Sequence, residues 1–167
     1  FIGGILFCFF SSSFALHATE NDDLVKAMME VYAEELAANP QDYRTYYSRA
    51  MAYFGQGDMK KALSDIDNAI KYFPRKEKDD LAQAYLLRAK ILSERGETKS
   101  ALTDLNSALR LVPNHRLALK DRGDLLCRLG QYDMAKIDYN HLLRMDTRSQ
   151  SAFMGLARVE AHTGQPV

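Results

Sequence analysis

From Asp22 or Asp23 onward, apolar residues recur at the three- and four-residue spacing of helices that bury one face. The first such block reaches Ala38 and carries Leu24, Ala27, Met28, Val31, Tyr32 and Leu36. Asn39-Pro40 ends it, because proline cannot continue the hydrogen-bond ladder and restricts the residue before it. Beyond Pro40 the pattern repeats on a larger scale. The stretch from Tyr43 to Pro74, YRTYYSRAMAYFGQGDMKKALSDIDNAIKYFP, has small residues at Ala50, Ala62 and Ala69, large ones at Tyr46, Tyr53 and Ile66, a turn at Gly57 and a stop at Pro74.

The same columns return downstream. Small residues of the first helices fall at Ala50, Ala89, Gly123 and Ala157, with spacings of 39, 34 and 34 residues. Tyr46, Tyr85, Leu119 and Phe153 open these helices, Tyr53, Leu92 and Leu126 follow two turns on, and Gly57, Gly96, Gly130 and Gly164 make the turn. In the second helices Ala62, Ala101 and Ala135 come first, then Ile66, Leu105 and Tyr139, then Ala69, Ala108 and Leu142. A fixed period of this length predicts stacked helix pairs, since each unit is too small to bury its own apolar face alone. Small side chains let the two helices of a pair approach, and the large residues fill the gaps beside the contact.

These motifs resemble the tetratricopeptide repeat family over residues 43 to 164, with residues 23 to 40 as a partial preceding unit. The resemblance implies an all-α, right-handed superhelical solenoid of antiparallel helix pairs. Its expected parts are a capping helix in 19–42, repeats at 43–76, 82–115 and 116–149, and a half repeat at 150–167.

Departures from the period carry their own expectations. The insertion Glu77 to Leu81 lengthens a loop and adds a first turn to the following helix, with Asp79 or Asp80 as its cap. Thr147 stands where earlier units have Pro74 and Pro113, and Leu142 where they have Ala, so the third unit's exit is expected to pack differently. The last unit has a first helix, then Gly164-Gln165-Pro166, which reads as a turn. Its apolar face at Phe153 and Leu156 is expected to be bare, and to permit self-association. Arg49, Arg88 and Arg122 each precede the small residue, and Asp65, Asp104 and Asp138 each precede the large one, a register that predicts partly buried Arg–Asp pairs between the two helices of a unit.

The start, FIGGILFCFFSSSFALHA, has no charged side chain and runs from apolar to small residues. It reads as the core and cleavage region of a signal peptide covering residues 1–18, cut after Ala18 or Ala15, which places the protein in the bacterial periplasm or at the cell surface. The initiator Met and basic leader are absent from it, as expected of a chain trimmed at its beginning. The alternative is an uncleaved anchor, the only membrane attachment expected. At about 1.5 Å per residue its apolar part reaches roughly 24 Å, short of the roughly 30 Å hydrocarbon core.

Composition adds exclusions. Lys+Arg 22 balances Asp+Glu 22, so there is no basic field of the kind that recruits nucleic acid. Cys127 has no cysteine partner once Cys8 is removed with the leader and no His nearby on its helix face, and so reads as a packing residue. His17, His115, His141 and His162 lack metal-ligand spacing, and no GxxxxGK[ST], GxGxxG or GxSxG occurs. The expectation is therefore no enzyme, no cofactor and no metal.

Function must then lie on the surface. In the resembling family the first helices line a concave groove that takes an extended peptide or a partner helix. The implied positions here are Arg44, Tyr47, Met51 and Phe54, then Leu86, Lys90 and Glu94, then Lys120, Asp124 and Arg128, and finally Arg158. The first group is apolar and aromatic, suited to anchoring; the later ones carry mixed charge, suited to orientation. An equally open alternative is that Tyr47, Met51 and Phe54 pack on the capping helix. The clamp with which some family members hold a chaperone's terminal carboxylate is not implied, because its positions are Tyr47, Met51, Leu87, Leu117 and Asp121 here. The expected function is a scaffold or adaptor for a protein or peptide partner; the alternative is the sensory or recruiting segment of a longer enzyme or signalling protein.

Overall fold

A computed structural model describes residues 23–164. The segment read as a signal peptide or anchor lies outside the described residues. Within them the chain is a succession of α-helices: α1 (23–38), α2 (Tyr43–Gly55), α3 (Met59–Tyr72), α4 (Lys78–Glu94), α5 (Thr98–Leu111), α6 (Arg116–Arg128), α7 (Tyr132–Met145) and α8 (Gln150–Thr163). No helix among the described residues is long and apolar enough to cross a membrane.

Local chemistry sets the boundaries. Gly57, Gly96, Gly130 and Gly164 have φ of 79°, 78°, 72° and 65°, the left-handed conformation that glycine adopts without a Cβ penalty. At the first turn the Asp58 N–H reaches back to the Tyr53 carbonyl at 2.9 Å, while its carboxylate accepts from the Lys61 N–H at 3.0 Å. Asp58 thus closes α2 and opens α3. The equivalent return bonds, Glu97 to Leu92 and Gln131 to Leu126, close α4 and α6.

The paired helices α2–α3, α4–α5 and α6–α7 make the most extensive contacts, and α3–α4, α5–α6 and α7–α8 join one unit to the next. At the crossings Ala50, Ala62, Ala69, Ala101, Ala108 and Ala135 are all 0% exposed, with Ile66 and Tyr139 equally enclosed beside them. One buried cluster spans α2 to α4 and a larger one α4 to α8; Leu63, Tyr85 and Leu111 border both, which makes the core continuous along the stack.

The Arg–Asp register is bidentate in every complete unit. Arg49 Nε and Nη2 donate to Asp65 at 2.6 and 2.9 Å, Arg88 to Asp104 at 2.7 and 2.7 Å, and Arg122 to Asp138 at 2.8 and 2.6 Å. These bonds hold the Arg49 and Arg88 guanidiniums above their ordinary pKa, against the opposing effect of burial. Two of the arginines also reach the preceding unit: Arg88 Nη1 donates to Asp67 and Arg122 Nη1 to Asn106, at 2.7 and 2.8 Å. One guanidinium therefore ties its own helix pair and the junction behind it. Such a pair adds little over an apolar pair of equal volume, but half of it left buried costs about 3–5 kcal/mol, which makes it a register lock.

Four expectations are corrected. Leu156 is only 7% exposed, because it stands in the arginine column and belongs to the buried cluster that includes Tyr139 and Leu142 of α7; Phe153, at 54%, is open. Self-association through Leu156 has no surface to use. Leu86 is 3% exposed and belongs to the larger buried cluster, so it packs the core and offers no surface to a partner. The residue before α4 is Glu77, with Asp79 and Asp80 inside its first turn, where carboxylates favour the helix dipole. The third exit keeps the backbone of the second: Ser149 N–H bonds to the Asp146 carbonyl at 3.0 Å as His115 does to Val112 at 3.1 Å, so Thr147 replaces Pro113 without altering that turn, while Leu142 fills the alanine site at 3% exposure.

The packing makes a direct prediction. Ala62→Leu and Ala101→Leu add methylenes where no space remains, and each is expected to lower stability by about 1–3 kcal/mol. Denaturant melts of both variants measure it; unchanged midpoints would contradict close helix approach at these sites.

Candidate partner-binding groove

The first helices stand along one side of the stack: α2 meets α4, α6 meets α8, and Arg128 at the end of α6 bonds Ser93 on α4 at 2.6 Å. That side forms the wall expected for the groove. Two cavities open along that wall.

The first, about 300 Å³, lies between α2 and α4 and is lined by Tyr43, Arg44, Tyr47, Ser48, Phe73, Asp80 and Gln83. The Tyr43 and Phe73 rings pack at 4.3 Å, and the Tyr43 hydroxyl donates to Glu77 at 2.7 Å, which raises its pKa. Burial, followed by the nearby Asp80 charge, raises that of Tyr47. This end of the groove is an aromatic pocket with an acidic edge.

The second, about 450 Å³, joins α2, α4, α6 and α8 and is lined by Phe54, Lys90, Glu94, Asp124, Arg128 and Arg158, together with Ala89, Ser93, Leu105, Asp121 and Leu125. The structure thus brings six of the expected groove residues into one cavity and Arg44 and Tyr47 into the other. Lys120 stands beside the second cavity, bonded to Asp124 at 2.8 Å. Met51 lines neither cavity, yet it is 51% exposed and so is not covered by α1. Helix α1 buries Leu36 and leaves Leu24 and Val31 60% and 50% exposed; Glu35 lies 2.8 Å from the Thr45 hydroxyl, near the start of α2.

The floor of the second cavity holds a device that the sequence pattern did not reveal. Tyr139, in the column of Ile66 and Leu105, sends its ring between α6 and α8. A Cβ on Gly123 would fall 2.8 Å from that ring, and one on Gly155 would fall 2.3 Å from it. Only glycine fits on either side. The phenol passes through this slot and donates to Asp124 at 2.8 Å; Asp124 also accepts from Lys120 and Arg158, each at 2.8 Å. Burial pushes the Asp124 carboxyl up, but the hydrogen bonds from Lys120, Tyr139 and Arg158 together outweigh it and hold its pKa below the ordinary 3.8. Burial, with Asp124 beside it, raises the Tyr139 phenol well above its usual value, so it remains a donor. Lys120 also bonds Asp121 Oδ1 at 3.3 Å, while Asp121 Oδ2 is buried without a hydrogen-bond partner among the described residues. A paired replacement in the sequence was the available signal: Tyr for an aliphatic residue at 139, with Gly at 123 and 155.

Residues 41–114 match the family model described as the tetratricopeptide repeat. Among solved structures the fold is similar to MamA, with a TM-score of 0.76 at 16% identity over 88% of this chain and 83% of that one. It is similar to a tetratricopeptide repeat protein from Parabacteroides merdae, with a TM-score of 0.75 at 28% identity, over 91% of this chain and 58% of the other. The first TPR of Spaghetti (RPAP3), bound to the HSP90 peptide SRMEEVD, has a TM-score of 0.67 at 20% identity over 75% of this chain and 95% of that one. At these identities MamA and Spaghetti speak for the fold alone. No curated protein matches.

Two outcomes test the groove floor. Gly155→Ala is expected to destabilise by about 1–3 kcal/mol although alanine is the better helix former by up to about 1 kcal/mol; in a Tyr139→Leu background the same change is expected to be nearly neutral, and equal costs in both backgrounds would contradict the slot. Asp124, with its folded pKa depressed, contributes stability that is complete above the ordinary 3.8 and is lost as pH falls through the lowered folded value. Asp124→Asn is expected to flatten the stability profile across that acid range, and an unchanged slope would show that Asp124 is not engaged.

Proposed function

We propose, from the premise that this is a chain of tetratricopeptide repeats, that it is a non-enzymatic scaffold or adaptor whose inner wall binds a protein or peptide partner. The observation that carries this reading is the continuity of the wall. The first helices bring Tyr47 to one cavity and Phe54, with Lys90, Asp124, Arg128 and Arg158, to the other, while Met51, on α2 between Tyr47 and Phe54, is exposed.

The aromatic end has the make-up of a binding anchor: rigid rings, half-buried, beside an exposed thioether that can adapt its shape. The charged end suits orientation of a chain lying along the groove. The partner is proposed to be met outside the cytoplasm of a bacterium, on the strength of residues 1–18 alone.

Panning a library of random dodecapeptides tests the groove. Peptides selected on the wild type are expected to lose about tenfold or more in affinity for the Tyr47→Ala/Met51→Ala/Phe54→Ala variant, the range of a small set of hot-spot truncations. Circular dichroism and thermal melting confirm that the variant is folded. Equal affinity of the selected peptides for both proteins would remove the groove as the binding site.

A further inference from the structure

We infer that the second cavity selects an acidic partner segment, with carboxylate side chains held between Arg128 and Arg158. This rests on the groove reading and specifies its partner chemistry.

The argument is an account of which charges are already engaged. The carboxylate of Asp124 accepts from three donors, Lys120, Arg158 and Tyr139. Asp121 accepts from Lys120 on one oxygen, and its other oxygen is buried out of reach. Both acids on α6 are therefore already engaged by the protein's own donors. The cations are in the opposite condition. Arg158 uses Nη1 on Asp124, and Arg128 uses Nη2 on the Ser93 hydroxyl at 2.6 Å, so in each guanidinium the remaining donors are uncommitted among the described residues. Lys90, exposed on α4, has no hydrogen bond or ion pair among them.

Each arginine is also held by the bond it does make. A guanidinium fixed by one protein contact and open on its other edge presents a planar fork that matches a carboxylate and loses less rotamer freedom on binding. Phe54, Ala89 and Leu125 give the cavity an apolar side for the stem of the incoming residue. Glu94 is the single unpaired acid in the lining and works against the anion, which gives the inference a second, opposite handle.

Three dye-labelled heptapeptides of the same apolar sequence, carrying at their centre two glutamates, two glutamines or two lysines, test this by fluorescence anisotropy at low salt. The glutamate peptide is expected to bind about fivefold or more tighter than the glutamine one, and the lysine peptide weakest, a modest margin because the site is partly exposed. Arg128→Gln with Arg158→Gln is expected to erase the difference between the glutamate and glutamine peptides. Lys90→Gln, which touches no structural partner, is expected to reduce the advantage without any effect on folding, and Glu94→Gln to enlarge it. Equal affinities, a lysine preference, or a glutamate advantage that survives both arginine and Lys90 substitutions would overturn the inference. The groove reading would still stand in those cases if all three peptides lose binding to the Tyr47→Ala/Met51→Ala/Phe54→Ala variant. Absence of binding by any of the three up to about 1 mM, the edge of measurable affinity at roughly −4 kcal/mol, would also overturn it, and the library selection would then decide the groove reading separately.

Discussion

Close approach of two helices at alanine is the constraint on which the rest of this molecule depends. Where Ala50, Ala62 and Ala69 meet there is no side-chain volume to separate the backbones, so Ile66 and the neighbouring tyrosines must lie beside the contact. That geometry fixes which column of each helix faces in, which faces the next unit and which is left for the groove. It also explains the left-handed glycine at Gly57, Gly96 and Gly130, inside each helix pair: a helix that must return at close range after two or three residues has no room for a gradual reversal.

On this frame the polar interior is a register device and not a source of bulk stability. Hydrophobic burial would allow a pair to slide by one turn at modest cost, whereas a bidentate Arg–Asp pair has one acceptable position. Arg88 and Arg122 extend the lock to the preceding unit through Asp67 and Asn106. At α8 the column changes to Leu156, and the lock is replaced by Tyr139 threading between two glycines to Asp124. The junction of α6, α7 and α8 is therefore held from the groove side, by the residues that also shape the charged cavity. Stability and the charge of the proposed binding cavity converge on Asp124.

Much of this was legible in the sequence because it is periodic. Ala62, Ala101 and Ala135 announce a helix crossing by recurring, and the Arg–Asp pairs were readable because both partners recur in step. What escaped was what happens once. Leu86 and Tyr47 occupy the same column, yet Leu86 lies within the buried cluster and Tyr47 lines a cavity; a column assigns a direction and not the depth to which neighbours cover it. Leu156 likewise reads as an exposed apolar residue until α7 is seen to bury it. The Tyr139 slot needs three residues on three helices, with no local spacing to mark it, and Glu77 preceding α4 in place of Asp79 or Asp80 turns on a single residue of an insertion.

The central claim is that partners are read on the inner wall formed by α2, α4, α6 and α8. Backbone hydrogen exchange of the chain with and without a saturating selected peptide tests it most directly, because it reports on both walls at once. The account predicts slowed exchange concentrated in the first helices, around Tyr47 to Phe54 and Lys90 to Glu94, with α3 and α5 unchanged. Protection confined to the second helices would contradict it.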